Sequence, residues 1–190
     1  LRAFTLQRHP ARAGGRGAPA PRDVCLRPGQ WGSSPGVDIT VAAVGKLRPY
    51  YRQAVDDYAR RLKRYAVIRE QEVREASKAS SAAAQRAEEG ARLETKIPEG
   101  STVIALGREG AGWNSRELAR QVERWLLAAR PVGLLIGGSQ GLDPGLLARA
   151  NARWSLGPLT LPHELARVVV FEQLYRAFTI LRGEPYHKGV

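Results

Sequence analysis

The chain has no methionine and only one cysteine, Cys25, in 190 residues. A single cysteine excludes an internal disulfide, and the three histidines form no Cys/His cluster with metal-site spacing. A reducing cytoplasm accommodates such a chain. No apolar run approaches the roughly 20 residues that a membrane span needs. Acidic residues are scarce, 18 Asp and Glu against 30 Lys and Arg, which leaves a net charge of +12. That cationic excess points to a polyanion partner, most simply nucleic acid. Two phosphate-binding signatures are missing as well. The first βα unit, "AVGKLRPYY", lacks the G-x-G-x-x-G fingerprint, and no G-x-x-x-x-G-K-[ST] loop occurs anywhere.

Composition changes near residue 37. The leading 36 residues hold five prolines and six glycines without helical or strand periodicity, and are expected to be disordered. They lack the apolar stretch of a signal peptide. Their best reading is an extension created by a misassigned translation start, with Val37 the candidate first codon. Beyond it, 24 basic residues stand against 17 acidic ones, so the basic balance does not depend on the extension.

Residues 37–190 alternate strand and helix as one domain. "ITVAAVG" reads as a strand, and Tyr51, Val55, Tyr58, Leu62 and Tyr65 recur at helical spacing after it. "AVIREQEV" reads as a second strand with Val67 and Val73 on one face. The Ala-rich segment from Ser80 reads as a polar helix with a mostly solvated face. "STVIALG" and "PVGLLIGG" are short, fully apolar strands of the kind found in parallel sheets covered on both sides. Asn114 with Glu117 makes a capping-box start for the helix between them. Pro144 opens a short helix, and a long helix from His163 is apolar nearly all round, a sign of burial on more than one side. The predicted fold class is α/β, a mainly parallel sheet flanked by helices.

Three strand tips are unusually small or irregular: "ALGREGAG" (105–112), "IGGSQG" (136–141) and "SLGPLTLP" (155–162). Glycine lets bare backbone approach a ligand, and strand tips of parallel sheets are where ligands bind. One such loop is ordinarily a turn. Three at one edge suit an adenosine-containing ligand held through main-chain hydrogen bonds. A side chain added at Gly138 is then expected to fill the ligand's space. A nicotinamide-dependent oxidoreductase using the same loops is the rival reading.

Together, "LLIGGSQGL", "WSLGPLTLPHELARVVVFEQLYRAF" and the ending "PYHK" resemble the bacterial large-subunit (23S) ribosomal RNA pseudouridine N3-methyltransferases of the SPOUT superfamily. The resemblance covers residues 37–188. It implies a SPOUT-type fold with a C-terminal trefoil knot, a homodimer, and S-adenosylmethionine (SAM) as cofactor. It also implies 23S ribosomal RNA within the ribosome as substrate. Carried over by position, the cofactor contacts are Leu106, Gly138, Gly157, Pro158, Leu159, Thr160, Leu161 and Pro162. Gln140 stands where an acidic residue is common, and the chain runs two residues past the usual ending. A ribosome-binding protein of this type without catalytic activity is a second rival.

Methyl transfer to an imide nitrogen needs in-line approach and removal of the N3 proton, so a nearby base should help. His163 follows the third loop, and Arg167 lies one turn on, on the same helix face. Arg167 is expected to hold RNA phosphate or the deprotonated base edge; the alternative is a salt bridge to Glu164 or Glu172. The resemblance assigns substrate handling to Tyr186 and His187 in the tail, reaching a site shared with the partner subunit, with Lys188 on a phosphate. Arg60, Arg61, Lys63 and Arg64 form a basic run on the first helix that could meet RNA or simply be solvated.

Overall fold

The computed structural model describes residues 37–187, and of His187 only the backbone. The expectations for residues 1–36, for the His187 side chain and for Lys188 lie outside the described residues. Five strands form one sheet: β1 (Asp38–Val44), β2 (Val67–Val73), β3 (Thr102–Ala111), β4 (Val132–Ile136) and β5 (Ala152–Trp154). Their order is β2-β1-β4-β3-β5, and every neighbouring pair is parallel. Five helices connect or follow them: α1 (Pro49–Leu62), α2 (Ala82–Glu94), α3 (Ser115–Ala128), α4 (Pro144–Arg149) and α5 (His163–Leu181).

Alternation along the strands builds two cores, because successive side chains point to opposite faces. Ile39, Val41 and Ala43 of β1 join Val132, Leu134 and Ile136 of β4 under α1, α3 and α5. Ala42, Val44 and Leu135 face the other way, against Leu93 of α2 and Leu146 of α4. The apolar strands are therefore covered on both sides. On β2 only Val73 is buried; Val67 is exposed, because this edge strand is open at its start.

Caps are local, and the one expected at Asn114 is present. The Asn114 side chain accepts from the Glu117 N–H at 2.9 Å while the Glu117 carboxylate accepts from the Asn114 N–H at 2.8 Å. Asp143 caps α4 ahead of Pro144, its carboxylate accepting from the Leu146 N–H at 3.0 Å. The third strand departs from the sequence expectation. It does not end at Gly107 but resumes pairing with β5 at Ala111, and residues 107–110 bulge out between the paired positions. Gly110 makes this possible: a Cβ there would stand 2.6 Å from the Trp154 carbonyl carbon. Long helix α5 is sandwiched between α1 and α3 over the sheet, with Val170, Phe171, Leu174, Ala177 and Phe178 buried.

Candidate functional site

At the C-terminal edge of β3, β4 and β5 the three small-residue loops meet around one cavity of about 840 Å³. Its floor is apolar. Leu106, Ile136, Leu142, Trp154, Leu156 and Leu161 contribute, and Trp154 stacks on Trp113 with ring centroids 5.8 Å apart. Six glycines, Gly107, Gly110, Gly137, Gly138, Gly141 and Gly157, lie among its lining residues.

The second loop is closed by its glycines. Gly138 and Gly141 pair as an antiparallel bridge, and the Gly141 N–H donates to the Gly138 carbonyl at 3.1 Å. A Cβ on Gly137 would stand 2.6 Å from the Gly141 carbonyl carbon, so the closure admits only glycine at 137. Gly138 behaves differently from the sequence expectation. A Cβ there points away from the cavity, 3.0 Å from Glu89 Oε2 and 3.0 Å from Val44 Cγ1. A side chain at 138 would not fill ligand space; it would push the loop up from beneath. The third loop is pinned by Ser155, whose hydroxyl accepts from the Gly157 N–H at 3.2 Å and donates to its carbonyl at 3.1 Å. Gly157 sits at φ +121°, open to glycine.

Glu89 gave no signal in the sequence beyond one more charge on a polar helix. It is fully buried under the second loop. Its Oε1 accepts from the Ala76 N–H at 3.0 Å and from Gln85 Nε2 at 2.9 Å. Its Oε2 has no hydrogen-bond partner. The carboxylate thus anchors the β2–α2 connection and lies directly beneath Gly138 of a cavity loop.

Of the expected cofactor contacts, Leu106, Gly138, Gly157, Leu159, Thr160, Leu161 and Pro162 line the cavity and Pro158 does not. Leu159 is 75 % exposed there, an apolar side chain with nothing over it. His163 also lines the cavity, half-buried at the first position of α5. It rests over the β1–α1 turn because Gly45, at φ +83°, carries no Cβ: one would stand 2.8 Å from His163 Nε2 and 3.2 Å from Glu75 Oε1.

Arg167 corrects the sequence expectation. Its side chain is completely buried and faces neither the cavity nor solvent, so contact with RNA is closed to it. Nor does it pair with Glu164 or Glu172. Nη1 reaches Glu70 at 3.1 Å and Glu72 at 3.0 Å on β2; Nη2 reaches the carbonyls of Val44 at 3.0 Å and Gly45 at 2.7 Å. Arg52 completes the network on the same two carboxylates. Arg167 therefore locks the start of α5, and with it His163, onto the turn after β1. Glu164 strengthens that lock from the other side: it accepts from Arg48 Nε at 2.8 Å and from the Arg48 N–H at 2.7 Å. The Arg48 guanidinium holds the Glu164 carboxyl below the usual carboxylate range.

Tyr186, in a 3₁₀ turn (Pro185–His187), lies on its own chain's α1–α5 side and does not border the cavity. Its ring meets Tyr175 edge-on at 4.7 Å, and its hydroxyl donates to Glu172 at 3.2 Å. The basic run on α1 is mostly matched: Arg60 and Arg61 pair with Asp57, and Arg64 pairs with Glu184. No helix among the described residues is long and apolar enough to cross a membrane. No group of three or more His, Cys, Asp or Glu that could hold a metal occurs among them.

A parallel α/β sheet with a cavity at its C-terminal edge is the arrangement in which open α/β folds bind small ligands. Comparison with known proteins makes this specific. The chain belongs to the SPOUT methyltransferase family: the family model described as "Predicted SPOUT methyltransferase" matches residues 37–187. A relative from Anaeromyxobacter dehalogenans, "Ribosomal RNA large subunit methyltransferase H", is 48% identical over 151 residues, 79% of this chain and 99% of that protein. A protein of the same name from Azotobacter vinelandii is 40% identical over 153 residues, with the same coverage. This membership leaves nothing in favour of the nicotinamide oxidoreductase reading.

Proposed function

We propose that this chain is a SAM-dependent methyltransferase that modifies N3 of a pseudouridine in 23S ribosomal RNA, acting on the assembled ribosome in the cytoplasm. One observation supports it most: three loops distant in sequence wall one cavity, in a chain that matches nearly the full length of relatives named as large-subunit ribosomal RNA methyltransferases. The cavity suits SAM. Its volume of about 840 Å³ lies within the roughly 300–1,000 Å³ of small-molecule sites, its apolar floor suits an adenine ring, and its glycine-rich walls present hydrogen-bonding backbone. When bound, SAM supplies an electrophilic methyl group on a sulfonium. Leu106, Gly138, Gly157, Leu159, Thr160, Leu161 and Pro162 would hold it.

This chain's contribution to the transfer is placement and proton handling. Among the described residues, His163 and Glu109 are the proton-accepting side chains that line the cavity. His163 stands at the first position of α5, held over the β1–α1 turn by the Arg167 network, so we assign it to the N3 proton. The same reading includes a C-terminal trefoil knot and a homodimer. Tyr186 and His187 then serve the partner's cavity, in keeping with the position of Tyr186 away from its own. Leu159, together with the half-buried Leu165, Val168 and Val169 of α5, offers apolar surface for that interface. The test is a methylation assay with SAM on ribosomes from cells lacking this protein, read by mass spectrometry of the large-subunit RNA. SAM binding with no added methyl group would support a ribosome-binding role without catalysis.

A further inference from the structure

We propose that Arg86, Arg108 and Arg153 form an anion subsite at the cavity that holds a backbone phosphate of the RNA beside the bound cofactor. The inference rests on the proposed function for its RNA substrate, and on the following geometry for the residues. The three side chains come from α2, β3 and β5 and line the same cavity. Most of their donors are unspent. A guanidinium offers five N–H groups. Arg108 uses Nη1 on Thr160 Oγ1 at 3.4 Å, which bridges the first and third loops. Arg153 uses Nε on the Leu147 carbonyl at 3.2 Å, leaving its terminal nitrogens free. Arg86 has no hydrogen bond or ion pair among the described residues. Elsewhere arginines such as Arg48, Arg52, Arg61, Arg149 and Arg176 are matched by carboxylates of their own chain.

Charge decides what the subsite takes. The cavity lining holds three guanidinium groups against one carboxylate, Glu109, with the second loop carrying neutral Gln140. SAM is itself a net cation at neutral pH, because its sulfonium and ammonium outweigh its carboxylate. A cationic cavity that must also admit a cationic cofactor gains from an anion arriving with the second substrate. An RNA phosphodiester supplies it, and guanidinium matches phosphate geometry in a bidentate fashion.

The experiment measures binding to, and methylation of, large ribosomal subunits across a salt series, for the unmutated protein, Arg86→Gln, Arg108→Gln and the triple Gln variant. Arg130→Gln, in an exposed residue at the opposite edge of the sheet, controls for loss of bulk charge. Melting temperature checks folding, and calorimetry gives SAM affinity. Each cavity substitution is expected to lower the slope of log affinity against log salt by about 0.7–0.9 and to raise KM for the ribosomal substrate, with SAM affinity within about twofold; Arg130→Gln leaves the slope unchanged. An unchanged slope in the triple variant overturns the subsite. A fall in SAM affinity equal to the loss in activity also overturns it, because the guanidinium groups would then be holding the cofactor's carboxylate. Binding needs no turnover, so the subsite can be judged even if the unmutated protein proves not to methylate.

Discussion

Replacing Gly138 with alanine tests the cavity from below. The added Cβ would stand 3.0 Å from both Glu89 Oε2 and Val44 Cγ1, where ordinary contact begins near 3.4 Å, so something must yield by a few tenths of an ångström. Val44 belongs to a central strand, and Glu89 is held by two hydrogen bonds, so neither yields easily. The loop, which is open to the cavity on its other side, moves instead. Overpacking of this kind costs about 1–3 kcal/mol. In the free protein the loop relieves that strain by rising into the cavity. Cofactor binding must press it back, so the cost reappears in affinity as a loss of about 5–150-fold.

Calorimetry with SAM on folded Gly138→Ala measures the loss, and a double-mutant cycle with Glu89→Ala identifies its cause. Truncating Glu89 removes one of the two obstructing groups. The double variant should therefore bind SAM better than the sum of the single effects allows, by about 0.5–1.5 kcal/mol. An affinity within twofold of the unmutated protein, or strict additivity with Glu89→Ala, would show that the loop does not rest on that carboxylate.

Arg167→Ala should lower unfolding free energy by about 2–5 kcal/mol in a urea titration, because it leaves a buried void and takes the donor from the Val44 and Gly45 carbonyls, while Glu70 and Glu72 keep only Arg52; a loss under 1 kcal/mol would dismiss the network as a structural lock. Arg167→Lys should lose less but still measurably, since an ammonium cannot serve four acceptors in one plane. The lowered folded-state pKa of Glu164 means that its charge favours the folded chain above the unfolded value of about 4.3, and that this contribution fades as pH falls through the lowered folded value. The gap in melting temperature between the unmutated protein and Glu164→Gln should accordingly be widest near neutrality and shrink below pH 4; a gap that grows on acidification would reverse the assignment. Gly157→Ala meets no atom within 4 Å, so any weakening of SAM binding would come from its φ of +121° alone, a strain of about 1–3 kcal/mol. Mixing Gly138→Val subunits with Tyr186→Ala subunits should restore activity if the tail serves the partner's cavity, and restore none if it acts within its own chain.

The sequence made visible what depends on near neighbours. Strand β4 reads as buried because both its faces are apolar, and Asn114 with Glu117 reads as a cap because its hydrogen bonds span three residues. The glycine loops were legible for a related reason. Gly137 and Gly141 must meet each other across a single turn, and that demand is written in the residues themselves. The family resemblance added what no periodicity contains, namely the expectation that the ligand shared by the three loops is SAM.

The remainder of the site turns on where distant segments come to lie. Glu89 sits on an Ala-rich helix whose neighbours in sequence are solvated, and only the arrival of residues 137–141 above it makes it a buried support. Arg167 has two carboxylates close by in sequence on its own helix, Glu164 three residues before it and Glu172 five after, and these are the partners that proximity along the chain suggests. The sheet offers a better pair. Glu70 and Glu72 share one face of β2 two residues apart, and the turn after β1 adds two carbonyls, so one guanidinium finds four acceptors more than 90 residues from its own position. Glu164 is then released to Arg48. The same contest explains the cavity arginines. With carboxylates drawn into locks such as these on β2 and α5, the C-terminal edge of the sheet is left cationic, and the charge excess visible in the composition becomes a local feature beside the cofactor loops.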